Sequence, residues 1–410
     1  MKRGTIDTGI KVFVEVNFSK YDSMGIEKSY KVLGLEKDKD SIEGIMRLLH
    51  KVKTYGAAIN GQVFKLTVFT SCEDEDRYRS KAADFSRAIF KCFLDEVPAF
   101  NIVSQKPFPD SSFAVEAGFV TGQNLQIHYK MHRDIPYVLI ENAMVKELWM
   151  SGAGGPDYFG DIEQDAICAF EQVVEILRKE GMTMDHIIRQ WNYVGEILKM
   201  NDADGRYLQN YQVFNEVRGQ FYKQYRTRKD FPAATGIGVE IPGVTIDFCA
   251  VKSSVNRVAS VPVNNPNQQN AYVYGQEVLV GSAPATNAVK QPPQFERGRL
   301  LEMPGYSTLF LSGTASIIGQ ETIGIDDVKK QTRVTIDNLE RLSRFREGLP
   351  NRETWSYNLL RVYVKKGGDF PVVQQICTQY FPNVPMVFVQ ADVCRDNLLV
   401  EIEGEMIAKN

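Results

Sequence analysis

The chain has 410 residues, a formal net charge of −3, and 24% charged residues. Sequence-independent binding of nucleic acid requires a basic face, so this composition argues against a nucleic-acid partner. No apolar run is long enough to cross a membrane, which argues against a membrane partner. The six cysteines form no CxxC pair, a usage typical of reduced thiols. We therefore expect a cytoplasmic protein.

A strand–helix unit occurs three times along the chain. Each copy has an apolar strand, at 63–70, 187–194 and 359–366, followed by a helix and a proline-marked strand, which reads VPAFNIV, FPAATGIG and VPMVFVQ in turn. An amphipathic helix precedes each apolar strand and begins near Ser41, Asp161 and Asp326. Each unit is thus predicted to be a small α+β domain with two helices on one sheet face. The other faces can bury one another, which predicts an intramolecular pseudo-trimer.

The repeat sets the expected domain boundaries. We assign residues 1–122 to a divergent first unit, 123–255 to a second unit and 301–410 to a third. Residues 256–300 are rich in Asn, Gln and Pro, but Tyr272, Tyr274 and Phe295 can pack. We therefore expect an ordered inter-unit loop. The segments LWMSGAGG and LFLSGTAS are predicted to be the same element in the second and third units.

The last strand, with the sequence VEIEG, provides a candidate acid. Glu401 and Glu403 share one strand face because side chains alternate along a strand. Burial of two carboxyls is costly unless they are paired or neutralised, and a carboxyl kept protonated can act as a general acid. The alternative is an edge strand with solvated glutamates. The corresponding strands of the first two units offer only Glu116 and Asp247.

Other motifs leave their roles open. The turns SGAGG, SGTAS and FPAATGIG can direct backbone N–H groups at an anion, but tight connections need glycine in any case. No GxGxxG or P-loop motif predicts a nucleotide site. In the helix after residue 206, Tyr207, Tyr211 and Phe214 are interpreted as packing residues, whereas a buried Arg218 requires a carboxylate. The four histidines do not form a metal-binding set, so we expect neither metal nor cofactor.

The third unit resembles the RidA/YjgF family of trimeric imine deaminases through SGTASIIG, QTRVTIDNL, LLRVYVKK and LLVEIEG. This resemblance implies sites between units, with an arginine after the FP turn that holds a substrate carboxylate. All three proline-marked strands of this chain lack that arginine.

A narrower resemblance, to the chorismatase family, rests on WNYVGEI, YQVFNEVRGQFY, FPAATGIG, PPQFERG, LFLSGTASIIG and VCRDNLLVEIEG, over about residues 140–410. It implies cleavage of chorismate to 3-hydroxybenzoate and pyruvate, with Glu401 as the acid that protonates the enolpyruvyl group. Cys394, seven residues before the acid, resembles the branch that forms 3-hydroxybenzoate. A small buried thiol is the ordinary interpretation of such a cysteine. Candidates for holding the two carboxylates are Arg218, Arg297, Thr235, Gly236, Gly238, Ser312, Gly313 and Thr314.

Two other functions stay open on the sequence. One is a RidA-like imine or enamine deaminase, and the other is a non-catalytic ligand-binding protein. In either case we expect a small-molecule partner and a monomer or weak oligomer. Because only the third unit carries VEIEG, one complete site is expected rather than three.

Overall fold

The computed structural model describes residues 10–14, 26–36, 42–72, 74–109, 111–154, 160–203, 206–282, 289–344 and 355–409. Three successive strand-and-helix units follow one another, so the predicted α+β class is confirmed. Ser41 and Gly155, which belong to predicted motifs, lie outside the described residues. No helix in these ranges is both long and apolar enough to span a bilayer.

The first unit forms a sheet in the order β1-β2-β6-β3-β4. Its elements are β1 (Ile10–Val14), β2 (Glu27–Glu36), α1 (Ile42–Ala58), β3 (Gln62–Thr70), α2 (Glu75–Phe93), β4 (Ala99–Ser104), β5 (Pro107–Phe108) and β6 (Ser111–Thr121). The short β5 leaves this sheet and pairs with the third unit.

The second unit forms a sheet in the order β13-β10-β14-β9-β8-β7. Its elements are β7 (Gln126–His132), β8 (Ile135–Glu141), β9 (Val145–Ala153), α3 (Ile162–Lys179), β10 (Ile187–Gly195), β11 (Met200–Ala203), β12 (Arg206–Gln209), α4 (Asn210–Tyr225), β13 (Ala233–Val239) and β14 (Val244–Ser253). Asp161 caps α3 by accepting the backbone N–H groups of Glu163 and Gln164, which are unpaired at a helix start.

The third unit forms a sheet in the order β15-β16-β17-β22-β20-β21-β5. Its elements are β15 (Ala259–Val263), β16 (Gly298–Met303), β17 (Tyr306–Ala315), β18 (Ile317–Ile318), β19 (Glu321–Thr322), α5 (Val328–Arg344), β20 (Trp355–Val364), α6 (Phe370–Tyr380), β21 (Met386–Gln390) and β22 (Val400–Lys409). Strand β15 lies inside the predicted inter-unit loop, so that segment is partly a strand of this sheet.

Two local expectations need correction. Helix α4 begins at Asn210, so Tyr207 lies on β12 and is 51% exposed instead of packing in the core. Strand β22 is not an edge strand, because it pairs with β17 on one side and β20 on the other. The alternative of solvated glutamates on VEIEG is therefore wrong.

All three units contribute to one apolar core. It contains Tyr30 and Phe64 from the first unit, Trp149 and Trp191 from the second, and Phe310 and Tyr363 from the third. The helix pairs lie on the opposite sheet faces, over three separate cores. The sheets therefore bury one another's apolar faces, which is the physical reason given above for the copies to associate. A pseudo-threefold relation between the units stays a prediction.

The strand registers relate the units residue by residue. In β9, Ser151 and Gly152 form a bulge between the pairs Met150↔Phe248 and Ala153↔Ile246, opposite Asp247. In β17, Ser312 and Gly313 form the same irregularity between Leu311↔Gly404 and Thr314↔Ile402, opposite Glu403. LWMSGA and LFLSGTA are thus equivalent strands. Asp247 and Glu403 occupy equivalent positions on β14 and β22.

Buried acids on β6, β14 and β22 join the three units. Each is buried and pairs with a cation from another unit: Glu116 with Arg361, Asp247 with Lys65, and Glu403 with Arg189. In the first unit, Glu116 faces Thr67 of β3, as Glu403 faces Arg361 of β20. Charges buried in an apolar core are tolerated only when they are paired and hydrogen-bonded. These pairs therefore fix how the three units meet.

Candidate functional site

A cavity lies where the second and third units meet. Its volume is about 690 Å³, including the space open to solvent. Strand β13 and helix α4 of the second unit form one wall, and β17 and β22 of the third form the other. The connection between β15 and β16 closes the remaining side with apolar and aromatic side chains, among them Tyr274, Leu279 and Phe295. These three side chains belong to a small cluster of their own.

Glu401 of β22 is the acid of this cavity. It is 4% exposed and lines the cavity wall. Burial, together with the negative charge of Glu403, raises the pKa of Glu401 to about 8, although Arg189 and Arg297 oppose the shift. Among the described residues no hydrogen bond or ion pair holds its carboxyl group. Glu401 is therefore a neutral acid at pH 7 that faces open space.

Glu403, two residues further along β22, has the opposite environment. It accepts hydrogen bonds from Trp191 Nε1 at 2.9 Å and Tyr363 Oη at 3.0 Å, and it also contacts Thr235 Oγ1. Burial would raise its pKa, but the guanidinium groups of Arg189 and Arg361 outweigh burial and lower the pKa. Glu403 is thus ionised while Glu401 is protonated. Environments that separate two carboxyl pKa values in this way are typical of acid–base sites.

Cys394 lies in the loop between β21 and β22 and also lines the cavity. Its side chain is half-buried. Burial and the proximity of Glu401 raise the pKa of the Cys394 thiol to about 12. The group is therefore a thiol at neutral pH, and a thiol is a poor nucleophile. Cys394 and Glu401 thus line the same cavity.

Two buried arginines near the cavity have no carboxylate partner among the residues that the structure describes. Arg297 lines it and donates to Gln269 O at 2.6 Å and to Tyr274 Oη, while its Nε has no partner in the described chain. Arg218 lies behind the lining, where it donates to Asn215 Oδ1 at 2.5 Å. Its Nε is likewise buried without a hydrogen-bond partner in the described residues.

Three other buried arginines have the carboxylate partner that Arg218 does not have among the described residues. Arg189, Arg299 and Arg361 each pair with a carboxylate of the protein. Arg218 makes no ion pair within the described ranges, although a buried guanidinium is stabilised by an anion. Arg297 at the lining and Arg218 behind it therefore give this side of the cavity positive charge that no carboxylate of the described residues balances.

Two of the predicted glycines line the cavity. A Cβ atom on Gly313 would overlap Glu401 Oε1, so the close approach of β17 to the acid requires glycine at this position. A Cβ on Gly236 would lie 2.8 Å from the ring of Tyr211. Glycine at these positions leaves room for the acid and the tyrosine.

The remaining predicted residues lie outside the lining and stay predictions as ligand contacts. Thr235 Oγ1 accepts the backbone N–H of Gly313 at 3.0 Å and contacts Glu403. Ser312 Oγ donates to Glu296 O at 2.5 Å and accepts from Ala234 N at 2.9 Å. The other two bond to backbone groups: Thr314 donates to Ser312 O at 2.9 Å, and Gly238 N donates to Asp392 O at 2.9 Å.

Most of the lining residues were not identified as site residues from the sequence, and several of these carry polar groups that a ligand could meet. Tyr211 was interpreted as a packing residue, but it is only half-buried and lines the cavity with Asn215. Tyr274 and Arg395 also line it, and the Arg395 guanidinium lies 5.3 Å from the centre of the Tyr274 ring. The aromatic residues within a Gln/Asn-rich connection were the available signal. They were interpreted only as groups able to pack.

The charges define what the cavity can bind. Arg297 and Arg395 line it, Arg218 lies behind it, and Glu401 is uncharged at neutral pH. A small ligand with more than one negative charge is therefore favoured. The same ligand would meet a carboxylic acid able to transfer a proton.

Comparisons with known proteins give consistent results. The family model described as chorismatase FkbO/Hyg5-like, N-terminal, matches residues 119–250. A 3-hydroxybenzoate synthase from Streptomyces hygroscopicus is 32% identical over 247 residues, which cover 58% of this chain and 67% of that protein. A chorismatase from Streptomyces rapamycinicus is 34% identical over 227 residues, which cover 53% of this chain and 63% of that protein.

One solved structure spans nearly the whole chain. The 1.08 Å crystal structure of a chorismatase covers 94% of this chain and 99% of its own, with a TM-score of 0.62 and 22% sequence identity. This degree of similarity shows a shared fold. Since the alignment covers so much of both chains, the fold includes the first unit, where the sequence resemblance was only architectural.

Proposed function

The chain belongs to the chorismatase family, and on that premise we propose that it cleaves chorismate to 3-hydroxybenzoate and pyruvate. The observation that supports this most directly is the neutral, buried Glu401 in a cavity with uncommitted arginines. Together the two products contain all the atoms of chorismate, so the net reaction needs no co-reactant. The cavity supplies a proton donor and cations, which are what this chemistry requires.

The proposed first step is proton transfer from Glu401 to the methylene carbon of the enolpyruvyl ether. Protonation moves the vinyl electron pair into the new C–H bond and leaves an oxocarbenium-like cation. Glu401 becomes a carboxylate at that moment, so its negative charge stabilises the cation as it forms. Burial favours this step in two ways. It keeps the proton on Glu401 at neutral pH, and the cation that forms supplies the positive charge that a buried carboxylate needs.

The two carboxylates of chorismate fit the charge of the cavity. Arg297 and Arg218 each have a buried Nε without a partner in the described chain, and both lie at or directly behind the lining. A carboxylate accepting from such a donor would satisfy it and neutralise its charge. We assign Arg218 and Arg297 to carboxylate binding.

Cys394 is proposed to bias the outcome toward 3-hydroxybenzoate by occupying the space beside the acid. Its protonated thiol excludes water from that wall. Relatives named 3-hydroxybenzoate synthase and chorismatase match this chain at 32–34% identity. Product identification is therefore the measurement that decides this assignment.

The function is tested by incubating the purified protein with chorismate, measuring pyruvate and separating the aromatic products by chromatography. Equal amounts of pyruvate and 3-hydroxybenzoate are expected. Absence of pyruvate would refute the chorismatase function. A dihydrodiol or 4-hydroxybenzoate with normal pyruvate release would refute only the role given to Cys394.

The rate is expected to depend on the protonation of Glu401. Because burial raises the pKa of this acid to about 8, the active protonated form is present below that pH and is lost above it. The specificity constant kcat/KM should therefore be level near neutrality and fall about tenfold per pH unit above about 8. A pH profile of initial rates checks this. If instead the decline occurs near pH 4–5, Glu401 has an ordinary pKa and the proposed cause is wrong.

Arg218→Met tests the assignment of a substrate carboxylate to this side chain. KM for chorismate should rise about 10- to 100-fold, as expected for loss of a hydrogen bond between charged groups. The free energy of unfolding should be unchanged or higher, because a buried cation without a carboxylate partner is replaced by an apolar side chain. Steady-state kinetics and chemical denaturation provide the two measurements.

Arg299→Met is the matched control for this variant. Arg299 is buried to the same degree but pairs with Asp230 at 3.0 Å. Its hydrogen-bond partners do not line the cavity, whereas Asn215, the partner of Arg218, does. Its replacement should lower stability and leave KM unchanged. The opposite pattern, with Arg218 needed for stability and not for KM, would contradict the assignment.

A further inference from the structure

A second cavity lies where the first and second units meet. Its volume is about 1380 Å³, including the space open to solvent. From the first unit it is lined by residues of α2 and β4, such as Phe90 and Phe100. From the second unit it is lined by residues of β9 and β14, among them Ser151 and Thr245.

The strand registers make this cavity the counterpart of the candidate active site. Helix α2 and strand β4 take the places of α4 and β13, and the bulge at Gly152 takes the place of the bulge at Gly313. Asp247 corresponds to Glu403, so the position two residues earlier corresponds to Glu401. Thr245 occupies that position. The second cavity therefore has the same walls without the acid.

At the third junction, between the third and first units, described side chains of the two units pack against each other. Strand β5 pairs with β21 there, and the ring of Phe108 stacks on Phe370 with 4.5 Å between ring centres. A cavity at a junction is thus not an unavoidable result of the fold. Between the first two units the corresponding space stays open.

The lining of the second cavity has one buried polar group without a partner. Ser151 is 1% exposed, and its Oγ makes no hydrogen bond to any described residue. Such a group is destabilising unless a ligand or water bonds to it. Phe90 and Phe100, whose ring centres are 5.9 Å apart, supply aromatic surface nearby. A flat ring carrying a hydroxyl group matches both features.

Charge separates the second cavity from the first. Its charged lining residues are Arg133 and Asp134, and Arg133 shares an exposed ion pair with Glu175 at 2.9 Å. An exposed pair of this kind contributes little to stability, so a ligand carboxylate can compete for Arg133. The cavity of the candidate active site is instead lined by two cations, Arg297 and Arg395, and its acid, Glu401, is uncharged at neutral pH. The second cavity thus has one lining cation where the first has two.

From these features we propose that the second cavity is a non-catalytic binding site for a single-ring aromatic hydroxy acid with one carboxylate. The aromatic product of the proposed reaction, 3-hydroxybenzoate, belongs to this class, and to that extent the inference rests on the proposed function. The ring lies against Phe90 and Phe100, its hydroxyl group bonds to Ser151, and its carboxylate lies toward Arg133. Thr245 cannot donate a proton as a carboxylic acid does, so the bound ligand is released unchanged.

The cysteines provide a direct test. Of the six, only Cys168 and Cys394 are half-buried, and each lines one of the two cavities. Alkylation of the native protein with iodoacetamide at alkaline pH, followed by peptide mass spectrometry, reports the two cavities separately. At a concentration of 3-hydroxybenzoate roughly ten times its dissociation constant, alkylation of Cys168 should slow about tenfold. Benzene-1,3-dicarboxylate, which carries two charges, should not protect Cys168.

Ser86→Phe places a ring into the second cavity from α2, and Ser80→Phe on the exposed side of the same helix is its control. Only Ser86→Phe should abolish the dependence of Cys168 alkylation on ligand. Ser151→Ala should raise the concentration needed for half-protection about tenfold, the loss expected for one hydrogen bond.

The proposal is overturned if Cys168 reacts at the same rate at every ligand concentration, or if protection persists in Ser86→Phe. Equal protection by the dicarboxylate would overturn the assignment of a single charge. Because pyruvate release is measured separately, a failure of the chorismatase function is distinguishable from a failure of this site.

Discussion

Glu401→Gln is expected to lower kcat for chorismate about a thousandfold while the protein stays folded. General acids contribute about 10²- to 10⁴-fold to rate, and an amide of the same shape has no proton of comparable acidity to transfer. KM should change little, because the carboxylates of the substrate are proposed to bind Arg218 and Arg297 and not Glu401. Pyruvate release by a purified, folded variant is the measurement. Turnover within threefold of the unchanged protein would remove Glu401 from the mechanism.

The stability of the same variant provides a second readout. The pKa of Glu401 is raised from the ordinary value of 4.5 to about 8 in the folded protein. The contribution of this side chain to the free energy of unfolding is therefore fully present below pH 4.5 and is lost as pH rises through about 8. The glutamine variant lacks this titration. Its free energy of unfolding should therefore fall less between pH 5 and 9 than that of the unchanged protein, as measured by urea denaturation.

Glu405→Gln is the control on the same strand. Glu405 is also buried on β22, but it accepts from Tyr30 Oη and Asn358 Nδ2, both at 2.9 Å, and does not line the cavity. A glutamine oxygen can accept from Asn358 Nδ2, and its amide NH2 can donate to Tyr30 Oη. Activity should stay within a fewfold of the unchanged protein. If both glutamine variants lose activity equally, the loss reflects disturbance of β22.

Arg361→Met is expected to lower the free energy of unfolding by about 3–5 kcal/mol, the range for breaking a buried ion pair. Arg361 makes two hydrogen bonds to Glu116, at 2.6 and 2.7 Å, and a third to Glu403 at 3.2 Å. It also donates to Tyr193 Oη at 2.8 Å, so it contacts all three units. Its removal leaves the buried Glu116 without its cation, while Glu403 keeps Arg189. Chemical denaturation at pH 7 measures the effect.

Two comparisons separate this loss from a general effect of arginine removal. Arg341→Met removes an exposed ion pair on α5, in which Arg341 lies 2.8 Å from Asp337. This change should lower the free energy of unfolding by about 0.5 kcal/mol or less. The double variant Arg361→Met/Glu116→Gln should regain part of the loss, because the charge that Arg361 balanced on Glu116 is also removed. A loss of less than about 1 kcal/mol for Arg361→Met would contradict the role given to the buried pairs.

The architecture could be predicted from the sequence because the strand-and-helix unit is repeated three times. The apolar strands at 63–70, 187–194 and 359–366 correspond to β3, β10 and β20, and each is followed by a helix and a proline-marked strand. Alternation along strands and helical spacing are local properties, which neighbouring residues alone specify. The errors occurred where local pattern was ambiguous. Tyr207 continues the helical spacing of α4, yet it lies on the strand before it.

The candidate site could be predicted from the sequence only in part. Glu401, Cys394, Arg297, Gly236 and Gly313 were identified, and they line one cavity. The aromatic wall from the connecting segment was not recognised, because a Gln/Asn-rich stretch gives no periodic signal from which its position could be predicted. Its contribution depends on how the segment folds back over two units, which is set by contacts between residues distant in sequence.

By itself, the sequence determined the three strand-and-helix units, the paired glutamates on VEIEG and the spacing of Cys394 to Glu401. These features follow from local periodicity and from residue identity. Only the tertiary structure decided which glutamate keeps its proton. Arg189 and Arg361 reach Glu403 from β10 and β20, whereas Glu401 faces an open cavity without a partner in the described chain. A pKa depends on desolvation and on nearby charges, and both are set by residues that only folding brings together.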